Sequence, residues 1–175
     1  MTDAQPPGQY LHILPREAYT PWHTRVVASL IDVSPVLLLT AVGLGFAILT
    51  GNNGCEREST EFGASLSCSS SFSPAGLIVF TVLDLAVLAV LVWNYGYRQG
   101  TTGASVGKSV MKFMVVSERT WQPVGFGQSL IRQLAHVLDV VICYVGYLFP
   151  IWDAKRQTFA DKIMSTVCVP AGATA

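Results

Sequence analysis

Charged residues are scarce in this chain. Asp, Glu, Lys and Arg together make up 13% of its 175 residues, whereas an average soluble domain has about 25%. The eleven basic residues balance the eleven acidic ones, so the positive field that attracts nucleic acid is missing. We therefore predict no nucleic-acid partner and a surface too poor in charge to be fully hydrated.

Cysteine and histidine are also scarce, with four and three residues. The sequence has no C-x-x-C pair and no Cys/His spacing of a zinc site, so it predicts no metal and no cofactor. The stretch "GASVG" matches the G-x-S-x-G motif of hydrolases around Ser105. That motif needs a strand before it and a helix after it, whereas the composition here predicts a strand after it. We expect no enzymatic activity.

Apolar residues, in contrast, form two long runs at about residues 26–50 and 74–97. A helix that crosses a bilayer needs roughly 20 mostly apolar residues. Neither run resembles a cleavable signal peptide, because a polar tail over residues 1–20 precedes the first and its apolar run is too long. The sequence therefore predicts two transmembrane helices rather than a soluble protein with two apolar core helices.

The distribution of Lys and Arg predicts the orientation of these two helices. The loop between them, residues 52–73, has Arg57 alone against three glutamates, whereas five basic residues lie between Arg98 and Arg132. Because cytoplasmic segments carry the excess of Lys and Arg, we expect a multi-pass protein with its N-terminus in the cytoplasm. The loop at 52–73 is then external.

Two of the four cysteines lie in this predicted external loop. On an oxidising side of the membrane, Cys55 and Cys68 are candidates for a disulfide; the alternative is that both stay free. Cys143 and Cys168 fall in the half that is predicted to be cytoplasmic, where we expect reduced thiols.

The second half of the chain changes character. Residues 100–127 form a predicted cytoplasmic β-rich insertion, with a strand near 109–117 and a turn after it. A second stretch of strand composition, residues 165–170, is expected to pair with the first strand in a small sheet.

Between these strands, residues 129–152 are predicted to be helical, but their purely apolar part is about 13 residues long, too short for an ordinary span. Basic residues flank the segment on both sides, which favours a re-entrant or bent hairpin with its bend near 144–146. The alternative is a third full span. The predicted fold is thus an all-α membrane protein with a single membrane domain at 21–170 and a small cytoplasmic β-hairpin or sheet.

A spacing of seven residues separates an arginine from an aspartate in two places, which puts each pair on one helix face. An ionisable residue inside a span is a candidate functional site. In one interpretation the aspartates bind a proton or cation; in the other, arginines and aspartates pair and fix helix packing. The candidate residues are Arg25, Asp32, Asp84, Arg132, His136 and Asp139.

The chain resembles the RDD family of small bacterial membrane proteins. Three stretches carry the resemblance, "PWHTRVVASLIDV", "GTTGASVGKSVMKFMVVS" and "WDAKRQTFADKIMSTVCV". The family is named after one arginine and two aspartates, which the resemblance matches to Arg25, to Asp32 and to Asp161, with Asp139 as the alternative for the last. The resemblance covers about residues 19–169 and implies a location in the bacterial plasma membrane.

Two classes of function are therefore expected. In the first, the chain is an accessory or assembly subunit of a larger membrane complex. In the second, it is an oligomeric transporter of a cation, a proton or a small ligand, a role proposed for members of the family that it resembles. The expected partners are the lipid bilayer and either other membrane subunits or further copies of this chain.

Overall fold

The computed structural model describes residues 14–60, 63–141 and 144–172, so most of the predicted N-terminal tail lies outside the described residues. The chain divides into two compact units. The first unit combines residues 1–31 with 93–175, and the second unit consists of residues 32–92. Helices predominate, and two small antiparallel sheets accompany them.

Two helices are long and apolar enough to cross a membrane, as the sequence predicts. Helix α1 spans Trp22–Leu49 and contains Pro35, and helix α2 spans Pro74–Leu91. The Ser73 side chain accepts a hydrogen bond from the backbone N–H of Gly76 at 2.9 Å, so α2 begins with an N-cap followed by proline. Beyond α2 the chain continues as a π-helix, Val92–Arg98, and then as α3, Gln99–Thr102.

Within the second unit, glycines let the two helices approach closely. A Cβ on Gly43 would lie 3.2 Å from the side chain of Leu83, and one on Gly76 would lie 2.8 Å from the Cα of Ala47. Small residues at such contacts are typical of helix pairs in membranes, where apolar burial alone does not drive association.

The segment at 52–73, which the sequence predicted only as a loop between the two helices, forms a β-hairpin. Strand β1 spans Asn52–Thr60 and pairs antiparallel with β2, Gly63–Ser71. In this register Cys55 lies directly opposite Cys68, and the structure joins them in a disulfide. The covalent link between facing residues holds together strands that are rich in Ser, Asn and Gly and poor in apolar side chains.

Thiol titration tests this disulfide. The denatured but unreduced chain should show two reactive thiols, since four cysteines minus the bonded pair leaves two, and reduction should raise that number to four. In the Cys55→Ser/Cys68→Ser variant the hairpin should be cleaved more readily by added protease. The disulfide that closes the loop between these two residues stabilises the folded hairpin by about 3 kcal/mol. Ser67→Ala, in the same hairpin, is the control that should leave cleavage unchanged. Four reactive thiols before reduction would contradict the assignment.

The sheet of the first unit joins β3, Phe113–Ser117, to β4, Thr166–Pro170. The strands run antiparallel, with Phe113 opposite Pro170 and Ser117 opposite Thr166, so the predicted pairing is present. It is a pair of distant strands rather than a hairpin, since three helices separate them in sequence. The sheet forms the core of this unit with Tyr19, Ala28, Phe113, Val115, Val116, Val167, Cys168 and Val169.

The predicted β-rich insertion at 100–127 is mostly not β. It contains part of α3 and all of α4, Val106–Val110, so the strand begins at Phe113 rather than at residue 109. The Ser105 hydroxyl accepts a hydrogen bond from the backbone N–H of Lys108 and starts a helical turn despite the β-branched residues around it. Helices thus stand on both sides of Ser105, so the hydrolase motif still lacks its preceding strand.

Helix α5 spans Phe126–Val141 and α6 spans Val145–Leu148, followed by a 3-10 turn, Phe149–Ile151. The helical segment therefore begins at residue 126, three residues before the predicted 129. The two parts meet at an angle of 105°, and this break lies close to the position predicted for the bend. Tyr144, the N-cap residue of α6, has a positive φ of 62°. Helix α7, Phe159–Ile163, precedes β4.

Candidate functional site

A buried carboxylate at the start of α7 is the centre of the charged residues in the first unit. Asp161 is fully buried. Thr158 caps α7, with its hydroxyl accepting from the backbone N–H of Asp161 at 3.1 Å, while Asp161 Oδ2 accepts from the backbone N–H of Thr158 at 3.2 Å. This capping box fixes the aspartate side chain at the helix N-terminus, where the helix dipole favours negative charge.

Two arginines from different helices meet on this carboxylate. Arg25, in the first turn of α1, donates from Nη1 to Asp161 Oδ2 at 2.9 Å. Arg132, in α5, donates from Nε to Asp161 Oδ1 at 3.0 Å and from Nη2 to the same oxygen. The Thr166 hydroxyl of β4 lies 3.1 Å from Oδ1. We call Arg25, Arg132 and Asp161 the charged triad; it ties α1, α5 and α7 together.

All three side chains of the triad are charged at physiological pH. Burial by itself would raise the pKa of Asp161, but the guanidinium groups of Arg132 and Arg25 outweigh it and hold that pKa well below its usual range. Arginine stays protonated at any physiological pH. The three side chains therefore exchange no protons, and the arrangement acts as a clamp between helices rather than as a proton relay.

The clamp holds one positive charge more than negative charge, and it leaves polar atoms unused. Arg25 Nε reaches the backbone oxygen of Thr20 at 3.3 Å. Within residues 14–60, 63–141 and 144–172, Arg25 Nη2 and the Thr20 hydroxyl are the buried side-chain atoms that lack a hydrogen-bond partner. The two unused atoms lie at the beginning of α1.

A second buried carboxylate, Asp139, lies on α5 beside the charged triad and interacts electrostatically with Arg132. His136 Nδ1 lies 2.7 Å from Asp139 Oδ2, and the backbone N–H of Phe159 donates to Oδ1 at 3.2 Å. The imidazole stacks on Tyr147, with ring centroids 5.3 Å apart. Gly146 packs so tightly here that a Cβ on it would lie 2.0 Å from Asp139 Oδ1. Asp139 thus bonds α5 to the first residue of α7 and packs tightly against Gly146 of α6.

The sequence-based pairing of each arginine with the aspartate seven residues later needs correction for Arg132. Arg132 and Asp139 do share the buried face of α5, but the arginine's hydrogen bonds go to Asp161 and Thr166. Helix periodicity gives the face of a side chain, whereas a partner on another helix is set by tertiary packing.

The two other candidate aspartates belong to the second unit. Asp32 is buried, with 6% of its surface exposed. Asp84 is half-buried on α2, and the Thr40 hydroxyl lies 3.5 Å from its Oδ1. No group of three or more His, Cys, Asp or Glu side chains suited to a metal ion occurs within the described part of the chain.

Sequence reasoning missed the neutral residues that support the clamp. Thr158 follows the pattern Thr-x-x-Asp, which predicts a capping box and would have pointed to Asp161. A further buried group links α3 to α5 and α4: Gln99 Nε2 donates to Ser129 Oγ at 2.9 Å, and Lys108 donates to Gln99 Oε1. No spacing in the sequence marks Gln99, because its partners lie on other elements.

Comparison with known proteins now assigns the family. The sequence model of the RDD family matches residues 19–165. The chain belongs to the RDD family. The Proline-rich antigen homolog of Mycobacterium tuberculosis, in strains CDC 1551 and H37Rv, is 54% identical over 160 residues, which cover 91% of this RDD protein and 67% of the relative.

A second relative is the Proline-rich antigen of Mycobacterium leprae, which is 52% identical over 163 residues. That match covers 93% of this chain and 66% of the relative. The RDD protein described here thus spans about two thirds of the length of these relatives. No solved structure matches it. Family membership and the two apolar helices together indicate a membrane protein.

The three residues that the family resemblance assigns are distributed between both units. Arg25 and Asp161 form part of the charged triad, whereas Asp32 lies in the second unit. Asp161, rather than the alternative Asp139, is the aspartate that accepts from both arginines. The geometry therefore gives the RDD arginine and this aspartate a shared structural role.

Proposed function

We propose that this RDD protein is a multi-pass protein of the bacterial plasma membrane, with a cytoplasmic N-terminus, that acts as an accessory or assembly subunit of a larger membrane complex. The observation that carries the proposal is Asp84, a half-buried carboxylate well inside the apolar helix α2. A carboxylate at membrane depth costs a few kcal/mol and faces protein or water rather than lipid. A helix from another subunit or from a second copy would cover its open side.

The surroundings of Asp84 support a protein partner. Its neighbour in the second unit is the Thr40 hydroxyl at 3.5 Å, a distance at the outer limit of a hydrogen bond. Most other side chains of α2 are exposed, including Leu85 at 61% and Leu88 at 56%. Two helices with so much open surface offer room for further helices and are too few to enclose a pathway by themselves.

The charged triad supports the same interpretation. A transport site needs groups that bind and release a charge, whereas Arg25 and Arg132 are held by Asp161. Their arrangement keeps three helices together, which suits a protein whose role is to present a fixed surface.

Purification in mild detergent followed by native mass spectrometry tests this proposal. We expect the protein to be recovered with stoichiometric amounts of another subunit or of a second copy. Asp84→Leu should reduce the recovered complex by roughly 5- to 30-fold, since an interhelical hydrogen bond in a membrane contributes about 1–2 kcal/mol in model peptides. Thr81→Val is the matched control, because the Thr81 hydroxyl donates within α2 to the Leu77 carbonyl. A wild-type monomer without stoichiometric partners would contradict the proposal.

The second candidate function is transport of a cation or proton by an oligomer, and Asp84 favours it too, as an ionisable group inside a span. For transport the negative charge of Asp84 is essential, whereas its ability to form a hydrogen bond is not. Asp84→Asn should then abolish ion flux in reconstituted vesicles while leaving the oligomer intact, and Asp32→Asn should be compared with it. Unchanged flux in both variants would exclude transport through these aspartates.

A further inference from the structure

Helix α6 and the turn after it are hydrogen-bonded to the start of α1 and to the segment just before it. The indole N–H of Trp22, the first residue of α1, donates to the backbone oxygen of Tyr147 at 2.7 Å. The guanidinium of Arg16 donates to the backbone oxygens of Ile151 and Asp153. If α1 crosses the membrane, its first turn lies at the boundary between lipid and water. These bonds then place residues 144–157 at that same boundary.

This stretch exposes apolar and aromatic side chains although its backbone packs against the protein. Tyr144 is 61% exposed and Trp152 is 58% exposed, while Gly146 and Pro150 are buried. Trp and Tyr concentrate at the two interfaces of a membrane because their rings have an apolar body and a polar edge. The other exposed apolar residues of the stretch are Val145, Leu148 and Ile151.

Helix α5, which leads into this stretch, has the same reversed polarity. Its buried residues are Ser129, Arg132 and Asp139, whereas Leu134 and Val141 are 67% and 70% exposed. A helix on the surface of a soluble protein shows the opposite pattern. Lipid is an environment that suits an apolar outer face over a polar interior.

Basic side chains follow the apolar stretch at once. The sequence continues with Asp153, Ala154, Lys155 and Arg156. The Asp153 carboxylate forms an ion pair with Lys162 at 2.7 Å and accepts hydrogen bonds from the backbone N–H groups of Lys155 and Gln157. Lys155 lies 3.3 Å from Glu118, with about a third of its side chain exposed.

The local charge is positive. Arg16, Lys155, Arg156 and Lys162 stand against the carboxylates of Glu17, Glu118 and Asp153, which leaves a net charge of +1 from four cations and three anions. Within the described residues no ion pair is formed by Arg156. A guanidinium binds phosphate oxygens through two parallel hydrogen bonds, and basic groups next to a membrane are drawn to anionic lipid.

We propose that residues 144–157 form a surface anchor that binds anionic phospholipid beside the N-terminal end of α1. Trp152 and Ile151 lie among the upper acyl chains, while Lys155 and Arg156 contact headgroup phosphates. This inference rests on the membrane placement in the proposed function, but it requires neither a partner subunit nor transport. It also makes the bent α5–α6 pair an element in the membrane surface rather than a third span.

Fluorescence quenching of the full-length protein in vesicles tests the anchor. Two sets of vesicles carry bromine on the acyl chains, either near the headgroup or near the terminal methyl group, and each is made with and without phosphatidylglycerol in phosphatidylcholine. The difference between wild type and Trp152→Phe isolates the signal of Trp152. We expect stronger quenching by bromine near the headgroup, and more of it with phosphatidylglycerol. Stronger quenching near the methyl end would overturn the surface position.

Charge variants test the lipid preference. Lys155→Gln/Arg156→Gln should lower the preference of the Trp152 signal for phosphatidylglycerol by about fivefold per removed charge. Lys112→Gln/Arg119→Gln removes the same charge from exposed positions at the two ends of β3. This control should change the preference of the Trp152 signal for phosphatidylglycerol less. Equal effects of the two double variants would overturn the proposed contact with headgroups.

The outcome also separates the anchor from the proposed function. If the protein floats with the vesicles while Trp152 stays unquenched, the anchor is wrong and the membrane placement stands. If the protein does not remain with the vesicles after reconstitution, the membrane placement itself is wrong.

Discussion

Asp161→Asn is expected to destabilise the first unit by about 3–5 kcal/mol, the usual loss when one partner of a buried ion pair is removed. The substitution leaves Arg25 and Arg132 as neighbouring buried cations without their shared carboxylate. Since whole domains are stable by only about 5–15 kcal/mol, the variant should lose a large part of its stability and unfold at a clearly lower temperature. The measurement is the yield of monodisperse protein and its unfolding temperature in detergent.

Asp153→Asn is the matched control for this variant. Asp153 also pairs with a basic residue, Lys162, but the lysine side chain is 43% exposed, and an ion pair near the surface contributes about 0–1 kcal/mol. Arg25→Gln combined with Asp161→Asn should lose less than the sum of the single variants, because residues of one network are coupled. Equal losses for Asp161→Asn and Asp153→Asn would contradict the role of the clamp.

The pH dependence of stability gives a second measurement on Asp161. Its pKa in the folded protein lies well below the value of about 3.9 for an unfolded aspartate. The stabilisation is therefore fully present above pH of about 4 and is lost as the pH falls towards the folded pKa. Asp161→Asn should show a shallower decline of the unfolding temperature in acid than the wild type shows.

Gly146→Ala is the second substitution with a large expected effect. The added Cβ would lie 2.0 Å from Asp139 Oδ1 and 2.8 Å from the Cα of Asp139. Because one of these atoms belongs to the backbone, α5 and α6 must move apart, and overpacking of this kind costs about 1–3 kcal/mol. The shift should also break the contact of Asp139 with the Phe159 backbone N–H. Unfolding temperature and protease sensitivity of the bend are the measurements.

Gly127→Ala, in α5, provides the comparison of opposite sign. A Cβ at Gly127 would meet nothing within 4 Å, and alanine stabilises a helix by roughly 0.5–1 kcal/mol relative to glycine. We therefore expect a small gain in stability from this variant and a clear loss from Gly146→Ala. A loss of the same size in both would show that tight packing at Gly146 is unimportant.

The two long apolar helices and the sheet of the first unit were predictable because they follow from short-range patterns. Two apolar runs of sufficient length predicted α1 and α2, and the predicted ends differ from the observed ends by a few residues. The β-branched stretches around Val115 and Val167 predicted strands that do pair. The candidate disulfide rested on the predicted compartment alone, while the hairpin that places Cys55 opposite Cys68 was not predicted. Strands of Ser, Asn and Gly carry little of the composition that marks a β-strand.

The partners of the charged residues were beyond the reach of such patterns. Arg132 and Asp139 are correctly placed on one helix face, but Arg132 bonds Asp161, 29 residues further along the chain. Arg25 bonds the same aspartate across 136 residues. Family resemblance had marked Asp161, but neither that resemblance nor helix periodicity shows that two arginines meet on one carboxylate.

Helix α4 was missed for a different reason, because two local signals in the sequence conflict and the helix cap prevails over the strand composition. The β-branched residue Val110 contributed to the prediction of a strand that begins near residue 109. The Ser105 cap and the close contact of Gly103 with Met114 instead fix a turn and a short helix. A cap contributes about 1 kcal/mol, which is comparable to the whole range of strand propensities.

The separation between Arg25 and Asp161 has a consequence for synthesis. If α1 crosses a membrane, Arg25 reaches the boundary while the 136 residues up to its partner are still to be translated, a delay of roughly 7–27 s at about 5–20 residues per second. During that time water or lipid phosphate has to satisfy the guanidinium. The charged triad can form only when α7 has been synthesised, so a chain whose translation stops before Asp161 keeps its first unit open.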